Sequence, residues 1–343
     1  GVRTDAFGNI YLTGSFQGTV DFDPGLNNLF LSSAGNLDIF LLKLDPSGGF
    51  LWAFKIGSAS LERSMGLSPD GAGDIYIAGF FSSTTDFDPG LGVTNLTPSG
   101  SADMFISKFS SAGAFIWAKQ IGGTSQDVVE SITVDQTGNI YFTGRFGGTV
   151  DFDPGPGIFN LTTAFSSSDL FVAKLDPSGN FAWASAFSNT SVNSNISANS
   201  ITTDAQGNVL TTGLFFGPID FDPGVGTSIL TPPGTSAADG FVSKLNSNGN
   251  FVWIRQIGGN AGDGGESIAT DLQGNVYTTG AFSDLVDFDP GPGSYPLSSV
   301  PNIPSTFIQK LDASGDFMWA KQIEGLAVNA GLGLWVDANE AVY

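Results

Sequence analysis

The chain of 343 residues contains no cysteine and no histidine. Without cysteine there is no disulfide, no thiol nucleophile and no thiolate metal site. Without histidine there is no imidazole base and no zinc held by imidazole. A Ser-His-Asp hydrolase site therefore cannot be assembled from this chain. Basic residues are also scarce, 12 Lys and Arg against 33 Asp and Glu, for a net charge of −21. Nucleic acid and anionic membrane surfaces are gripped by clustered Lys and Arg, so neither is an expected partner. Charged residues of both signs make up 13% of the chain, about half the usual share, so the polar surface must come from Ser, Thr, Asn and Gly. No apolar run approaches the roughly 18 residues of a membrane helix, and membrane insertion is not expected. No segment between turn signals keeps a helical hydrophobic period. The chain starts at Gly1 with neither Met nor signal peptide, and is read as part of a longer multidomain protein.

What the sequence has in abundance is repetition. Asp-Phe-Asp-Pro-Gly occurs five times, starting at Asp21, Asp86, Asp151, Asp220 and Asp287. Trp52, Trp117, Trp183, Trp253 and Trp319 keep the same phase, as do Lys43, Lys108, Lys174, Lys244 and Lys310. The period is 65–70 residues. Within the third unit, Ser131–Asp135, Ile140–Phe146, Leu170–Leu175 and the segment opening at Phe181 are short runs rich in β-branched and aromatic residues. Gly-Asn or Pro-Ser-Gly turns separate them, with a long loop carrying Asp151–Gly155. Each unit thus reads as a four-stranded antiparallel meander, and tandem four-stranded units are the pattern of propeller blades. The fold class is all-β: one β-propeller repeat domain over 1–343, with units at 1–58, 59–123, 124–189, 190–259, 260–325 and a partial sixth at 326–343. The start of a sixth unit favours a fragment of a six- to eight-bladed ring over a simple five-bladed one. An open superhelical stack is the alternative. The aromatic pairs Phe50/Trp52, Phe115/Trp117, Phe181/Trp183, Phe251/Trp253 and Phe317/Trp319 stand at i and i+2, on one strand face. The Trp set is expected to be buried between blades.

The third unit, Ser131-Ile-Thr-Val-Asp135 with Gly138-Asn-Ile-Tyr-Phe-Thr-Gly144 and Asp169-Leu-Phe-Val-Ala-Lys-Leu-Asp-Pro-Ser-Gly-Asn-Phe181, resembles the bacterial seven-bladed β-propeller repeat family (SBBP repeats), and more distantly NHL-like propeller repeats. The resemblance extends over all five units and implies a propeller within a large secreted or cell-surface bacterial protein. It carries no catalytic residues. The inserted Asp-Phe-Asp-Pro-Gly loop makes these units longer than the roughly 40–50 residues of common propeller blades. The second unit also departs, with Ser68-Pro-Asp-Gly-Ala-Gly-Asp74 at the first turn.

The candidate site residues are the paired carboxylates of the five loops: Asp21 and Asp23, Asp86 and Asp88, Asp151 and Asp153, Asp220 and Asp222, Asp287 and Asp289. Carboxylates at i and i+2, with loop carbonyls, suit calcium, which takes six to eight oxygens at about 2.3–2.6 Å. No other cofactor is required. The competing reading is architectural. Pro-Gly suits a type II turn, one Asp accepts turn amides, and the recurrent Lys of each unit reaches the other. An ammonium there would repel a divalent ion, so the two readings largely exclude each other at a given carboxylate. The expected function is a non-catalytic structural or adhesive interaction module, extracellular or at the cell surface, whose partner is a protein or a surface glycan. Alternatives are a lectin-like propeller and a glycan-active enzyme. Against the enzyme, the carboxylates repeat identically, whereas a catalytic site is asymmetric, and Glu62, Glu130 and Glu266 precede first strands without converging. Asn95-Leu-Thr97 and Asn160-Leu-Thr162 match glycosylation sequons and read as chance.

Overall fold

A computed structural model describes the whole chain except residues 166, 167, 235, 236, 302, 326 and 328. The described residues contain strands and turns and no helix. The second repeat shows the plan. Glu62–Pro69, Ile75–Phe81, Asp103–Phe109 and Phe115–Gly123 pair in sequence order as an antiparallel sheet. The Asp70–Asp74 and Ser110–Ala114 turns close two of its hairpins, with Gly73 and Gly113 at φ 85° and 81°. Residues with a Cβ avoid that left-handed region, which is why a glycine recurs at these turns. The other sheets follow the same plan: Val2–Thr4, Ile10–Phe16, Asp38–Leu44 and Phe50–Ile56; Asn195–Thr203, Val209–Phe216, Asp239–Leu245 and Phe251–Ile257; Gly264–Thr270, Val276–Phe282, Ser305–Leu311 and Phe317–Ile323. Each four-strand set lies inside one of the units drawn from the repeat. The fold is all-β, built of the four-stranded antiparallel blades of a propeller.

Contacts divide the chain into two compact units. The first holds the first two sheets and the second holds the fourth and fifth. The strands of the third repeat (Val128–Val134, Ile140–Phe146, Asp169–Leu175 and Phe181–Asn189) are shared between them. Each unit has its own core of inward residues from neighbouring blades. Tyr11, Ile39, Leu41, Ile75, Phe81, Phe87 and Phe105 pack in the first. Leu210, Val242, Trp253, Ile268, Phe282, Phe288 and Phe307 pack in the second.

The loop expected between second and third strands is itself a small β-hairpin in every repeat: Thr19–Asp21 with Phe30–Ser32, Thr85–Asp86 with Asn95–Leu96, Thr149–Asp151 with Asn160–Thr162, Ile219–Asp220 with Ile229–Leu230, and Leu285–Asp287 with Pro296–Ser298. Three of these hairpins reach back to the preceding blade. Val150 and Asp151 pair with Gly123 and Gly122. Ile219 and Asp220 pair with Asn189 and Ser188. Val286 bridges Gly259. The insertion that lengthens these repeats therefore ties neighbouring blades through backbone hydrogen bonds. At the C-terminal end Val336 bridges Val342, and Tyr343 donates through its hydroxyl to Asp337. This is the first turn of a sixth repeat, as its sequence indicates.

Candidate functional site

The acidic motif begins where the first strand of each small hairpin ends. In the third repeat Asp151 Oδ1 accepts the amides of Asp153 at 3.0 Å and Phe159 at 2.8 Å, closing the loop across eight residues. Asp153 Oδ1 accepts the Gly155 amide at 2.7 Å. The pattern recurs in all five repeats: Asp21 with Asp23 and Leu29, Asp86 with Asp88 and Thr94, Asp220 with Asp222 and Ser228, Asp287 with Asp289 and Tyr295. Asp23, Asp88, Asp222 and Asp289 each accept the following glycine's amide. None of those glycines takes a positive φ, so the Pro-Gly step is not the type II turn expected of it. The second Asp organises the turn through its side chain instead.

Between the two acids, Phe22, Phe87, Phe152, Phe221 and Phe288 turn inward and are buried. Each meets a strand phenylalanine edge-on, as Phe152 meets Phe146 at 5.4 Å and 88°. The motif thus works as an anchor and a turn in one pentapeptide. The residue just after it is solvent-facing in every repeat: Leu26, Leu91 and Val225 are more than 100% exposed, and Pro156 and Pro292 take that place elsewhere. A tip of this kind, apolar and flanked by carboxylates, repeats along the chain.

Among the described residues, no recurrent lysine forms an ion pair with these loops. Lys108 pairs with Asp70 and Asp74, Lys244 with Asp204 at 2.9 Å, and Lys310 with Asp271 at 3.4 Å. These partners belong to the turn between first and second strands. Lys43, Lys108, Lys174 and Lys310 also lie over the rings of Tyr11, Tyr76, Tyr141 and Tyr277, 4.7–4.9 Å from their centroids. The tyrosines in turn donate to those turn carboxylates, Tyr141 to Asp135 at 3.1 Å. Lys and turn Asp stand on adjacent strands, closer than the hairpin insertion, and the lysine takes the nearer partner. Among the described residues no group of three His, Cys, Asp or Glu is placed to hold a metal. A calcium ion in a loop would have to draw on Oδ2 atoms and backbone carbonyls, since both Oδ1 atoms already hold amides.

The tryptophans line the seams between blades, Trp253 within the core of the second unit and Trp52 packed against that of the first. Trp253 is buried, while Trp52, Trp117, Trp183 and Trp319 are half-buried. Trp52 Nε1 donates to Ser111 O, Trp183 Nε1 to Ser247 O at 3.0 Å and Trp253 Nε1 to Ala313 O. Each indole therefore clamps the last hairpin turn of the next blade. The turn carbonyl supplies the partner that a buried indole N–H needs.

A feature without a sequence signal is a set of fully buried acids at the blade junctions. Asp38, Asp103, Asp169 and Asp239 open third strands, and Glu62, Asp127 and Asp263 lie just before or at first strands. Parallel bridges joining Leu37 to Leu61 and Ala102 to Gln126 bring Asp38 beside Glu62 and Asp103 beside Asp127. Asp103 accepts Gln120 Nε2 and the Ser99 amide; Asp127 accepts the Gly123 and Gly147 amides. Burial raises Asp239 to about 6, although Gln256 donates to it. Burial, helped by the neighbouring Asp239 and Asp284, raises Asp263 to about 7. The only forewarning in the sequence is the glycine that follows a fourth strand's isoleucine: a Cβ on Gly122 would fall 2.3 Å from the Asp103 carboxyl carbon.

Residues 116–145 and 252–281 match the SBBP family, described as a β-propeller repeat. Each match runs from the Trp-bearing fourth strand of one blade to the second strand of the next. An uncharacterised WD repeat-containing protein of Acanthamoeba polyphaga mimivirus is 24% identical over 335 residues, 82% of this chain and 24% of that protein. The regulatory protein FlaEY of Caulobacter vibrioides is 25% identical over 168 residues, 48% of this chain and 17% of that protein. The chain thus spans a quarter or less of the curated relatives it matches. A protein of unknown function from Bacteroides caccae superposes over 91% of this chain and 94% of its own, with a TM-score of 0.29 and 11% identity.

Proposed function

We propose that this chain, a carrier of SBBP β-propeller repeats, is a non-catalytic interaction module, and that it serves adhesion within a large secreted or cell-surface protein. One observation carries the reading: fully exposed Leu26, Leu91 and Val225 stand at the same position of the first, second and fourth acidic hairpins. Exposed apolar side chains on a rigid scaffold mark contact surfaces. Here the scaffold is firm because the motif's phenylalanine is buried and its first Asp ties the loop shut. A partner protein suits such tips better than a glycan, since they offer apolar area rather than a polar ring of donors. The relatives' names, a WD repeat-containing protein and a regulatory protein, are compatible with an interaction role and assign none of their own partners to this chain.

The test is attachment. Beads coated with the chain are expected to adhere to protein-bearing cell surfaces. The triple variant Leu26→Ser, Leu91→Ser, Val225→Ser should lose that adhesion at an unchanged melting temperature. Attachment no better than bare beads, or a triple variant that attaches as well, would remove the basis of the proposal. Retention on a glycan array by both proteins would favour the lectin reading instead.

A further inference from the structure

Within the second compact unit, a groove of about 420 Å3 runs along the seam between the fourth and fifth sheets. Its walls include Leu214, Phe216, Ala238, Ala281 and Pro304. Two acids line it, and they differ. Asp263 uses both oxygens on backbone, accepting the amides of Gly259 at 2.9 Å and Ser283 at 2.8 Å. Glu266 sits at a bulge in the first strand, half-buried, and meets one long donor, Asn199 Nδ2 at 3.3 Å. Among the described residues no lysine or arginine pairs with it. A half-buried carboxylate without a cation bears a desolvation cost that a guest cation would relieve.

Comparison between repeats indicates which cation. The two 30-residue family matches place residues 116–145 and 252–281 in one register. In that register Glu266 corresponds to Glu130, and Ala281 to Arg145. The third repeat thus encodes an acid and an arginine; the fifth encodes the acid and an alanine that now lines the groove. We propose that this groove receives an arginine side chain presented by a partner peptide. The guanidinium lies on Glu266 and the methylene stem against Leu214, Phe216 and Pro304. A guanidinium fits better than an ammonium, because its planar fork matches a carboxylate and its weak hydration suits apolar walls. The net charge of −21 draws cationic segments toward the chain. This site is separate from the hairpin tips, so either proposal can fail alone.

Calorimetric titration of the whole chain with a pentapeptide, Ser-Gly-Arg-Gly-Ser with blocked termini, tests it against the counterpart carrying citrulline. The arginine peptide should bind, and the citrulline peptide at least about tenfold more weakly, as loss of a charge-assisted bond implies. Glu266→Gln should weaken the arginine peptide by a similar factor without lowering the melting temperature. Ala281→Arg, which restores an internal guanidinium, should abolish binding while the chain stays folded. Equal binding of both peptides, unchanged affinity in Glu266→Gln, or no binding of the arginine peptide overturns the proposal.

Discussion

Phe152 is the most informative residue to remove. It is fully buried, and its ring stands edge-on to Phe146 at 5.4 Å. Truncation of a buried phenylalanine to alanine costs about 3–5 kcal/mol, as lost transfer energy plus the cavity left behind. Of that, about 0.5–1.5 kcal/mol is the aromatic pair itself. The neighbouring Asp151 and Asp153 bonds hold the hairpin less firmly, because two of the three are exposed to water. Urea denaturation followed by tryptophan fluorescence should therefore show Phe152→Ala destabilised by about 3–5 kcal/mol. Ile158→Ala, at a side chain 78% exposed on the same hairpin, should change stability by no more than about 0.5 kcal/mol. A loss under about 1 kcal/mol for Phe152→Ala would mean that the motif does not anchor its loop, and the account of all five copies would fail with it.

Three further outcomes follow from the same geometry. Lys244→Ala leaves Asp204 buried without its cation, and should cost about 3–5 kcal/mol in urea, the usual penalty for breaking a buried pair; a loss below about 1 kcal/mol would show the pair to be dispensable. Gly122→Ala should lower the melting temperature, because the new methyl group would meet the Asp103 carboxyl at 2.3 Å; Gly122→Ala combined with Asp103→Ser should recover part of the loss. Asp239 and Asp263 titrate at about 6 and about 7, above the ordinary carboxylate value of about 3.9. The native state therefore holds extra protons between about pH 4 and 7, and stability falls as pH rises through that window. Urea midpoints should rise from pH 8 to pH 5.5, and Asp263→Asn should flatten the slope; an unchanged slope in that variant would assign the effect to general charge repulsion.

Much of the fold was legible because its markers are periodic. Trp and Lys keep one phase with the acidic pentapeptide, and alternation around Gly-Asn turns separates the strands, so the four-stranded units are legible from residues alone. The acidic loops were legible as turns but not as hairpins, since Thr149–Asp151 and Asn160–Thr162 are too short to carry a period of their own. The lysine partners are not legible in the sequence for a related reason. Sequence phase sets Lys108 equally beside two acidic turns, and only the register of second and third strands, Lys108 against Tyr76, decides for Asp70 and Asp74. The tryptophans stand at the seams as their phase indicates, none of the five exposed, and the turn carbonyl that an indole N–H reaches was not legible. The buried acids at the junctions left almost no trace, as a lone Asp before a strand looks like any turn residue. Glu266 has no converging partner in the sequence; its groove exists only once two blades pack.

The central claim is that the Asp-Phe-Asp-Pro-Gly motif is architecture, with its carboxylates committed to backbone amides. The most direct test is a pair of thermal melts of the chain, one in millimolar EDTA and one in millimolar calcium. The account expects the two melting temperatures to agree within about 2 °C. Ligand at a hundredfold excess over its dissociation constant adds about 2.7 kcal/mol per site, so even one calcium-held loop would shift the melt by several degrees. A rise of about 5 °C or more in calcium would contradict the account and make at least one of the loops a metal site.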